Sequence, residues 1–482
     1  EIMPSLVGSE MCIRDRLYIL AQRCFYCGKE DIMGRMFGTD GVRGIANADL
    51  SCELAMKIGA AGAYVLTSVH NPRILVGQDT RKSGDMLACA LSAGICSIGG
   101  DVINVGVIPT PAMAYLARLY SADAAVMISA SHNTMEYNGI KWFDGDGYKL
   151  SDELEDRIEA IVKGEEIMDK PTGSGVGNCL SAPRAVEKYK EFLKSTATES
   201  FSGMTVVLDC ANGSASNIAA DVFSELGAKV ISWADEPDGC NINDLCGSTH
   251  PDSLQELMTE RMADAGFAFD GDADRVIAAD EMGNIVDGDR IMGICAKYMK
   301  EEGKLKDDTL VVTVLSNLGL KLRMKELGIN IEETAVGDRY ILERMRQKGY
   351  SLGGEQSGHI IFYDKNTTGD GMLSAIQVMN ILAKTKKRFS ELANDVPILP
   401  QVMVNVVVSP EDKAAALKDE DMINDIRAVE KLLEGEGRVL VRASGTEPLI
   451  RIMLEGRSEE QINPLALRIA KILEAKYAGR IK

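Results

Sequence analysis

The chain has 482 residues, 45% hydrophobic and only 5% aromatic, with a formal charge of −19 and a pI near 4.8. That length exceeds what one core organises and implies several domains. The acidic balance repels nucleic acid and anionic membranes at long range, so neither is an expected partner, and no uninterrupted apolar run reaches membrane-spanning length. Eleven scattered cysteines, an odd number, read as free thiols in a reducing compartment, which points to the cytoplasm.

Residues 1–35 stand apart from the rest. Cys24 and Cys27 form one Cys-x-x-Cys with no second ligand pair, and Met11 to Arg16 resembles a translated sequencing adapter. The segment carries no secretory signal pattern and is expected to be an extraneous N-terminal extension.

From Met36 onward one pattern recurs three times. Ile74-Leu75-Val76 opens a first copy ending at Gly100 and Val102 to Val105, and Val206-Val207-Leu208 opens a second ending at Gly227 and Val230-Ile231. Leu310 to Val314 opens a third, which ends at Gly328-Ile329-Asn330-Ile331. Each copy is a β-branched run, a polar loop, a helical stretch, a glycine and a second apolar run, the pattern of parallel strands joined by a helix. The tail changes rhythm: Val402 to Val408 and Arg438 to Val441 read as strands, Ala443 to Pro448 as a loop, followed by a further strand and a final helix. The expected fold is α/β: three similar α/β domains with mixed, largely parallel sheets plus a C-terminal α+β domain, arranged around a central cleft. Boundaries in polar or Pro/Gly-rich stretches give 36–183, 184–287, 288–396 and 397–482.

Four loops carry residues suited to chemistry, and loops at the carboxyl ends of parallel strands are where such sheets bind ligands. They are Ser129 to Asn133, Asp270 to Arg275, Gly354 to His359, and Arg442 to Pro448. Asp270, Asp272 and Asp274 alternate, which on an extended segment would point three carboxylates one way, a repulsion that a cation relieves. Glu281 falls at the twelfth position of an EF-hand count, but Arg275 occupies the turn position that needs glycine and the flanks read as strands, so calcium is rejected. Hard oxygen ligands beside a phosphate favour Mg²⁺, and a metal-neutralised phosphate on a serine points to phosphoryl transfer. Spacing alone does not choose between Ser129 and Ser131. Arg442, Ser444, Gly445, Thr446 and Arg451 supply guanidinium forks and hydroxyls for a phosphate monoester, against the plainer reading of a hairpin turn with a salt bridge. His359 is either a structural histidine or a general acid/base.

With Phe37-Gly38-Thr39-Asp40-Gly41-Val42-Arg43-Gly44, these loops in this order resemble the α-D-phosphohexomutase superfamily from about Met36 to the C-terminus. Glu355-Gln356-Ser357-Gly358-His359 is closer to its amino-sugar members. The resemblance implies an isomerase-class phosphotransferase that interconverts glucosamine 6-phosphate and glucosamine 1-phosphate through a phosphoserine enzyme and a bisphosphorylated sugar, feeding peptidoglycan precursors. It selects Ser131 as the phosphorylated residue, which with Asp270, Asp272 and Asp274 would hold Mg²⁺. Arg43 and Arg275 would stabilise the transferring group, with Lys141 and His359 moving protons; a plain ion pair for Arg275 and a surface position for Lys141 are the alternatives. Gly337, Asp338, Arg339, Glu355 and Ser357 would read the sugar, and the Arg442 loop would grip the non-reacting phosphate. The partner is a small sugar phosphate, with a homodimer left open. Thr134 stands where proline is common in the family, and Trp142 where phenylalanine is. Two rivals remain: a glucose or mannose mutase with the same apparatus, and a non-catalytic sugar-phosphate-binding regulator.

Overall fold

The computed structural model describes residues 35–38, 40–66, 71–409, 411–433, 435–444 and 448–481. Cys24 and Cys27, and the predicted phosphate contacts Gly445 and Thr446, lie outside the described residues. Four sheets organise the chain. The first contains β1 (Val42–Ile45), β2 (Arg73–Gln78), β3 (Asp101–Val107), β4 (Ala124–Ile128), β5 (Tyr137–Asp144) and β6 (Cys179–Ser181), ordered β1-β5-β4-β2-β3-β6. The second orders β11 (Ile285–Val286), β10 (Val276–Asp280), β9 (Ala265–Phe269), β7 (Thr205–Asp209) and β8 (Lys229–Trp233) side by side. The third runs β13 (Asn330–Thr334), β12 (Thr309–Thr313), β14 (Leu352–Gly354), β15 (Ile360–Phe362).

The three repeats are visible in these orders. In each, a central strand pairs in parallel with its successor on one side and with the third strand on the other, and the fourth strand returns antiparallel to the third. Small and β-branched residues let the central and third strands be covered on both faces, as parallel strands flanked by helices require; β4, β9 and β12 are buried throughout. The hairpin between third and fourth strands opens at the carboxyl end of a parallel strand. Those three hairpins hold Ser131, the Asp270 loop and the Glu355 to His359 loop.

The fourth sheet, β17 (Arg438–Ala443), β18 (Leu449–Glu455), β16 (Gln401–Val407) and β19 (Arg480–Ile481) in that spatial order, is wholly antiparallel. Helices Glu420–Leu432 and Glu459–Tyr477 belong with it, the first of which the sequence pattern did not reveal. One apolar core runs continuously through the first three sheets, whereas the fourth has its own. Its link to the third is polar: Arg438 donates to the carbonyls of Val314 at 2.6 Å and Ser316 at 2.7 Å, and Leu318 N–H donates to Glu455 at 3.0 Å.

Glycines let the chemical loops approach one another. Gly358 has φ +90°, and a Cβ there would lie 2.0 Å from the carbonyl oxygen of Val276, where β10 leaves the aspartate loop. Val276 N–H donates to Gly358 O at 3.1 Å, locking the second and third hairpins together. Gly358→Ala is expected to destabilise the protein by about 2 kcal/mol or more through backbone strain and overpacking, read as a lowered Tm.

Candidate active site

The turn after β4 separates the two candidate serines. Ser129 Oγ donates to Asp79 Oδ2 at 2.6 Å and accepts from Ser131 N–H at 2.9 Å, so it is occupied in building the loop. Ser131 sits in the left-handed region at φ 52° and turns its hydroxyl the other way, donating to Asp270 Oδ2 at 2.6 Å. It is 1% exposed. Arg81, fully buried and paired with Asp79 at 2.9 Å, reaches the carbonyls of Ser131 and Asn133 and that of Thr134. Trp142 is buried with its ring against Gly62.

Asp270, Asp272 and Asp274 are all buried, and one carboxylate oxygen from each lies within 4.8 Å of the others. They converge through a turn rather than through an extended segment: Ala273 has φ 55° and its N–H bonds back to Asp270 O at 3.0 Å. The expected strand-like alternation is therefore corrected; a left-handed residue between the second and third aspartates folds the loop back so that backbone curvature, not pleat, aims the carboxylates. Burial together with Asp274 and Asp272 pushes the Asp270 carboxyl well above its usual range. Asp272 Oδ1 and Asp274 Oδ1 are buried without a hydrogen-bond partner. Hard oxygens with unsatisfied lone pairs and crowded negative charge fit a divalent cation. Glu281 takes no part: it accepts from Ser390 Oγ at 2.5 Å, which removes the EF-hand geometry.

Around the triad, positive and negative side chains alternate in a closed ring. Lys141 Nζ lies 2.7 Å from Asp272 and 2.9 Å from Asp40; Lys149 Nζ lies 2.6 Å from Asp40 and 2.5 Å from Asp338. His359 closes it, with Nε2 3.6 Å from Asp338 and Nδ1 3.6 Å from Asp274. Burial works against the charge on Lys141, but Asp272, Asp40 and Asp274 outweigh it and hold the ammonium charged well above the usual lysine range. Lys141 is thus a fixed internal cation, not a surface lysine. For His359, burial is likewise outweighed by Asp274 and Asp338, raising its pKa. Gly369 N–H donates to Nε2 at 3.1 Å, which in the neutral ring leaves the proton on Nδ1, toward Asp274. Arg43 pairs with Asp40 and donates to Asn133 Oδ1 at 3.3 Å, while Arg275 N–H donates to Asp270 Oδ1 at 3.1 Å with its guanidinium 3.8 Å from Asp274.

A cavity of about 510 Å³ opens over this ring, lined by Arg43, Arg275, Gly337, Asp338, Glu355 and His359 among others. Arg35, grouped with the N-terminal extension on sequence, also lines it and pairs with Asp152 and Asp156 of helix Asp152–Lys163. Two expected sugar readers, Arg339 and Ser357, do not line it. Arg339 turns onto the acidic first turn of that same helix, donating to Glu155 at 2.9 Å and Leu150 O at 3.0 Å, because those carboxylates offer a nearer bidentate partner than the cavity does. Gln356 donates to Asp287 Oδ2 at 3.1 Å, anchoring its loop to the cap of helix Gly288–Glu301, and Ser357 Oγ faces Glu355 at 3.3 Å. Arg442 and Arg451 stand opposite each other across β17 and β18 with Ser444 beside them, and burial together with Arg451 lowers the Arg442 pKa. Two adjacent guanidiniums suit an anion between them. No described residue of the fourth sheet lines the cavity.

Sequence reading missed the supports: Asp79, Arg81, Lys149, Thr110, whose hydroxyl donates to Asp272 at 2.5 Å, and Asn243. Isolated residues far apart in the chain carry no local signal of such roles. His132 did lie within a recognised phrase; its Nδ1 is 3.4 Å from Ser131 Oγ, and burial with Arg275 and Arg43 pushes its pKa down to about 4, so it is neutral at pH 7.

Lys141→Met leaves Asp272 and Asp40 buried without this shared countercharge. Urea denaturation is expected to show a loss of about 3–5 kcal/mol in chelator, part of which a divalent cation restores.

Models of the four phosphoglucomutase/phosphomannomutase domains match in order: α/β/α domain I over residues 34–168, domain II over 186–283, domain III over 287–398 and the C-terminal domain over 403–472. A phosphoglucosamine mutase of Thermoanaerobacter sp. (strain X514) is 56% identical over 445 residues, covering 92% of this chain and 100% of the relative. One of Clostridium perfringens (strain 13 / Type A) is 56% identical over 446 residues, with the same coverage. Among solved structures, a phosphoglucomutase/phosphomannomutase family protein from Burkholderia thailandensis superposes with a TM-score of 0.76 at 23% identity, over 92% of this chain and 98% of that one. N-acetylphosphoglucosamine mutase of Aspergillus fumigatus, in complex with GlcNAc-6P and magnesium, does so at 0.67 and 18% identity, over 96% and 99%. These two show the shared fold, and with the sequence relatives and the four domain matches they establish that the chain belongs to the phosphoglucomutase/phosphomannomutase family, within the α-D-phosphohexomutase superfamily.

Proposed function

We propose that this chain interconverts glucosamine 6-phosphate and glucosamine 1-phosphate, the reaction named by its relatives at 56% identity. The observation that carries the chemistry is the Ser131 hydroxyl held 2.6 Å from Asp270 at the buried aspartate triad, beside a cavity into which Arg35, Arg43 and Arg275 bring positive charge among four carboxylates. Phospho-Ser131 transfers its phosphoryl group to the free sugar hydroxyl: the serine Oγ–P bond breaks and a sugar O–P bond forms. The bisphosphorylated sugar then turns over in the cavity, and its other phosphate returns to the serine. The substrate is a small anionic sugar phosphate in the cytoplasm.

Mg²⁺, held by Asp270, Asp272, Asp274 and the serine phosphate, would supply neutralisation of the phosphoryl oxygens. Lys141, Arg43 and Arg275 face the same oxygens with fixed positive charge, which the low-dielectric surroundings strengthen. His359 moves the proton of the attacking or leaving hydroxyl, while Lys141 keeps its charge and steadies the departing serine oxygen. Gly337, Asp338 and Glu355 meet the ring, and Glu355 offers a carboxylate to the substrate amine. Arg442, Ser444 and Arg451 grip the phosphate that is not reacting, and the separately packed fourth domain brings them over the cavity, excluding water from the phosphoserine.

Ser131→Ala is expected to lower turnover by at least about 10³-fold with the fold and sugar-phosphate binding retained; full activity in that variant removes the nucleophile. A coupled assay on glucosamine, glucose and mannose phosphates is expected to favour the amino sugar, and faster turnover of glucose 1-phosphate or mannose 1-phosphate excludes it. Mg²⁺ at about a hundredfold over its Kd should stabilise the protein by about 2.7 kcal/mol, and Asp272→Asn should weaken that response; an unchanged metal titration discredits the triad as the site.

A further inference from the structure

We propose that Asn243, on the segment between β8 and helix Asp252–Arg261, is a positioning residue that sets the aim of the Ser131 hydroxyl across the interface of the first two α/β units. The proposal rests on the reading of Ser131 as the phosphoryl carrier. Asn243 is 3% exposed, and its Nδ2 donates to the carbonyls of Ser131 and Asn133, both at 2.9 Å. Arg81, from the first unit, donates to the same two carbonyls at 2.9 and 2.7 Å. Each carbonyl therefore receives two donors, one from its own unit and one from the unit that holds the aspartates, which fills both lone pairs.

Ser131 needs such outside support. At φ 52° it occupies a region that residues with a Cβ rarely hold, and the nearest local alternative, an extended backbone, would swing the hydroxyl away from Asp270. Asn243 is itself left-handed at φ 57°, a conformation asparagine tolerates better than other residues with a Cβ. Its N–H bonds to Ala211 O at 2.9 Å, and Ser214 N–H bonds to Gly271 O at 2.8 Å, so the asparagine and the aspartate loop stand on one corner of the second unit. Gly271 seals the contact: a Cβ there would lie 2.7 Å from Ser131 O and 2.9 Å from Asn243 Nδ2. Whatever shift the second unit makes moves the carboxylates and the Asn243 donors together. The serine loop follows, and the 2.6 Å registry of Oγ with Asp270 is preserved.

The test compares wild type, Asn243→Ala and Asn243→Asp, each loaded at Ser131 with glucose 1,6-bisphosphate in Mg²⁺. Intact-mass spectrometry follows loss of the phosphate to water and to glucosamine 6-phosphate, beside kcat, KM and Tm. Asn243→Ala is expected to lower kcat about tenfold with KM within about twofold, and to raise the ratio of hydrolysis to transfer. Asn243→Asp, the same size but presenting an oxygen acceptor to two carbonyls, is expected to fall about tenfold further. A role in packing alone predicts the reverse order and an unchanged ratio, and that result overturns the proposal. Should the aspartate variant fail to fold, Arg81→Lys, which keeps the charge but loses the fork, is expected to shift the ratio in the same direction; an unchanged ratio in both it and Asn243→Ala overturns the proposal. Wild-type protein that acquires no phosphate at Ser131 overturns the functional reading and the proposal together, whereas a phosphorylated wild type with an identically partitioning Asn243→Ala overturns the proposal alone.

Discussion

The site depends on compensating negative charge that the fold has taken out of water. Asp270, Asp272 and Asp274 are buried beside one another, with Asp40 and Asp338 close by. At a separation of 4 Å two like charges repel by about 4 kcal/mol even at an effective dielectric constant of 20, so the arrangement stands only with cations interleaved. Lys141 and Lys149 provide that interleaving within the protein, and the Asp272 and Asp274 oxygens that accept no hydrogen bond leave room for more. On the proposed reading, the Ser131 hydroxyl placed against this surplus would meet, once phosphorylated, carboxylates grouped so that they could hold a metal ion.

The three α/β units contribute equivalent pieces. In each, the hairpin from the third strand to its antiparallel return carries the candidate site residues: Ser131 in the first, the aspartates in the second, Glu355 and His359 in the third. Such hairpins project from the carboxyl ends of parallel strands, and a continuous apolar core holds the units so that the three loops meet. Contact is close enough that side chains are excluded at Gly271 and Gly358, which makes the cavity floor a single object assembled from three domains.

The fourth domain differs in kind. Its sheet is antiparallel, its core separate, and its tether polar, with hydrogen bonds donated by Arg438 and one accepted by Glu455. Polar interfaces of this sort permit relative domain motion. The phosphate grip proposed for Arg442 and Arg451, carried on such a body, would engage and release while the other three units stay packed together, a division of labour that suits a substrate required to turn over between two transfers.

Much of this was legible in the sequence. The β-branched runs predicted the paired strands of all three repeats, because hydrophobic periodicity is a local property that burial on two faces enforces directly. The aspartate phrase and the Ser131 phrase were visible because several rare polar residues fall within a few positions. What tertiary structure decided is direction. Whether Ser129 or Ser131 meets the triad, that Arg339 clasps a helix and Gln356 a cap, and that Asn243 and Arg81 share two carbonyls all rest on contacts between residues far apart in the chain: 139 positions separate Ser131 from Asp270 and 112 separate it from Asn243. Left-handed turns at Ser131 and Ala273 aim the serine hydroxyl and the aspartates at one another. Such turns are unfavourable locally and persist only because distant donors hold them, so no window of sequence around either residue contains the reason for its conformation.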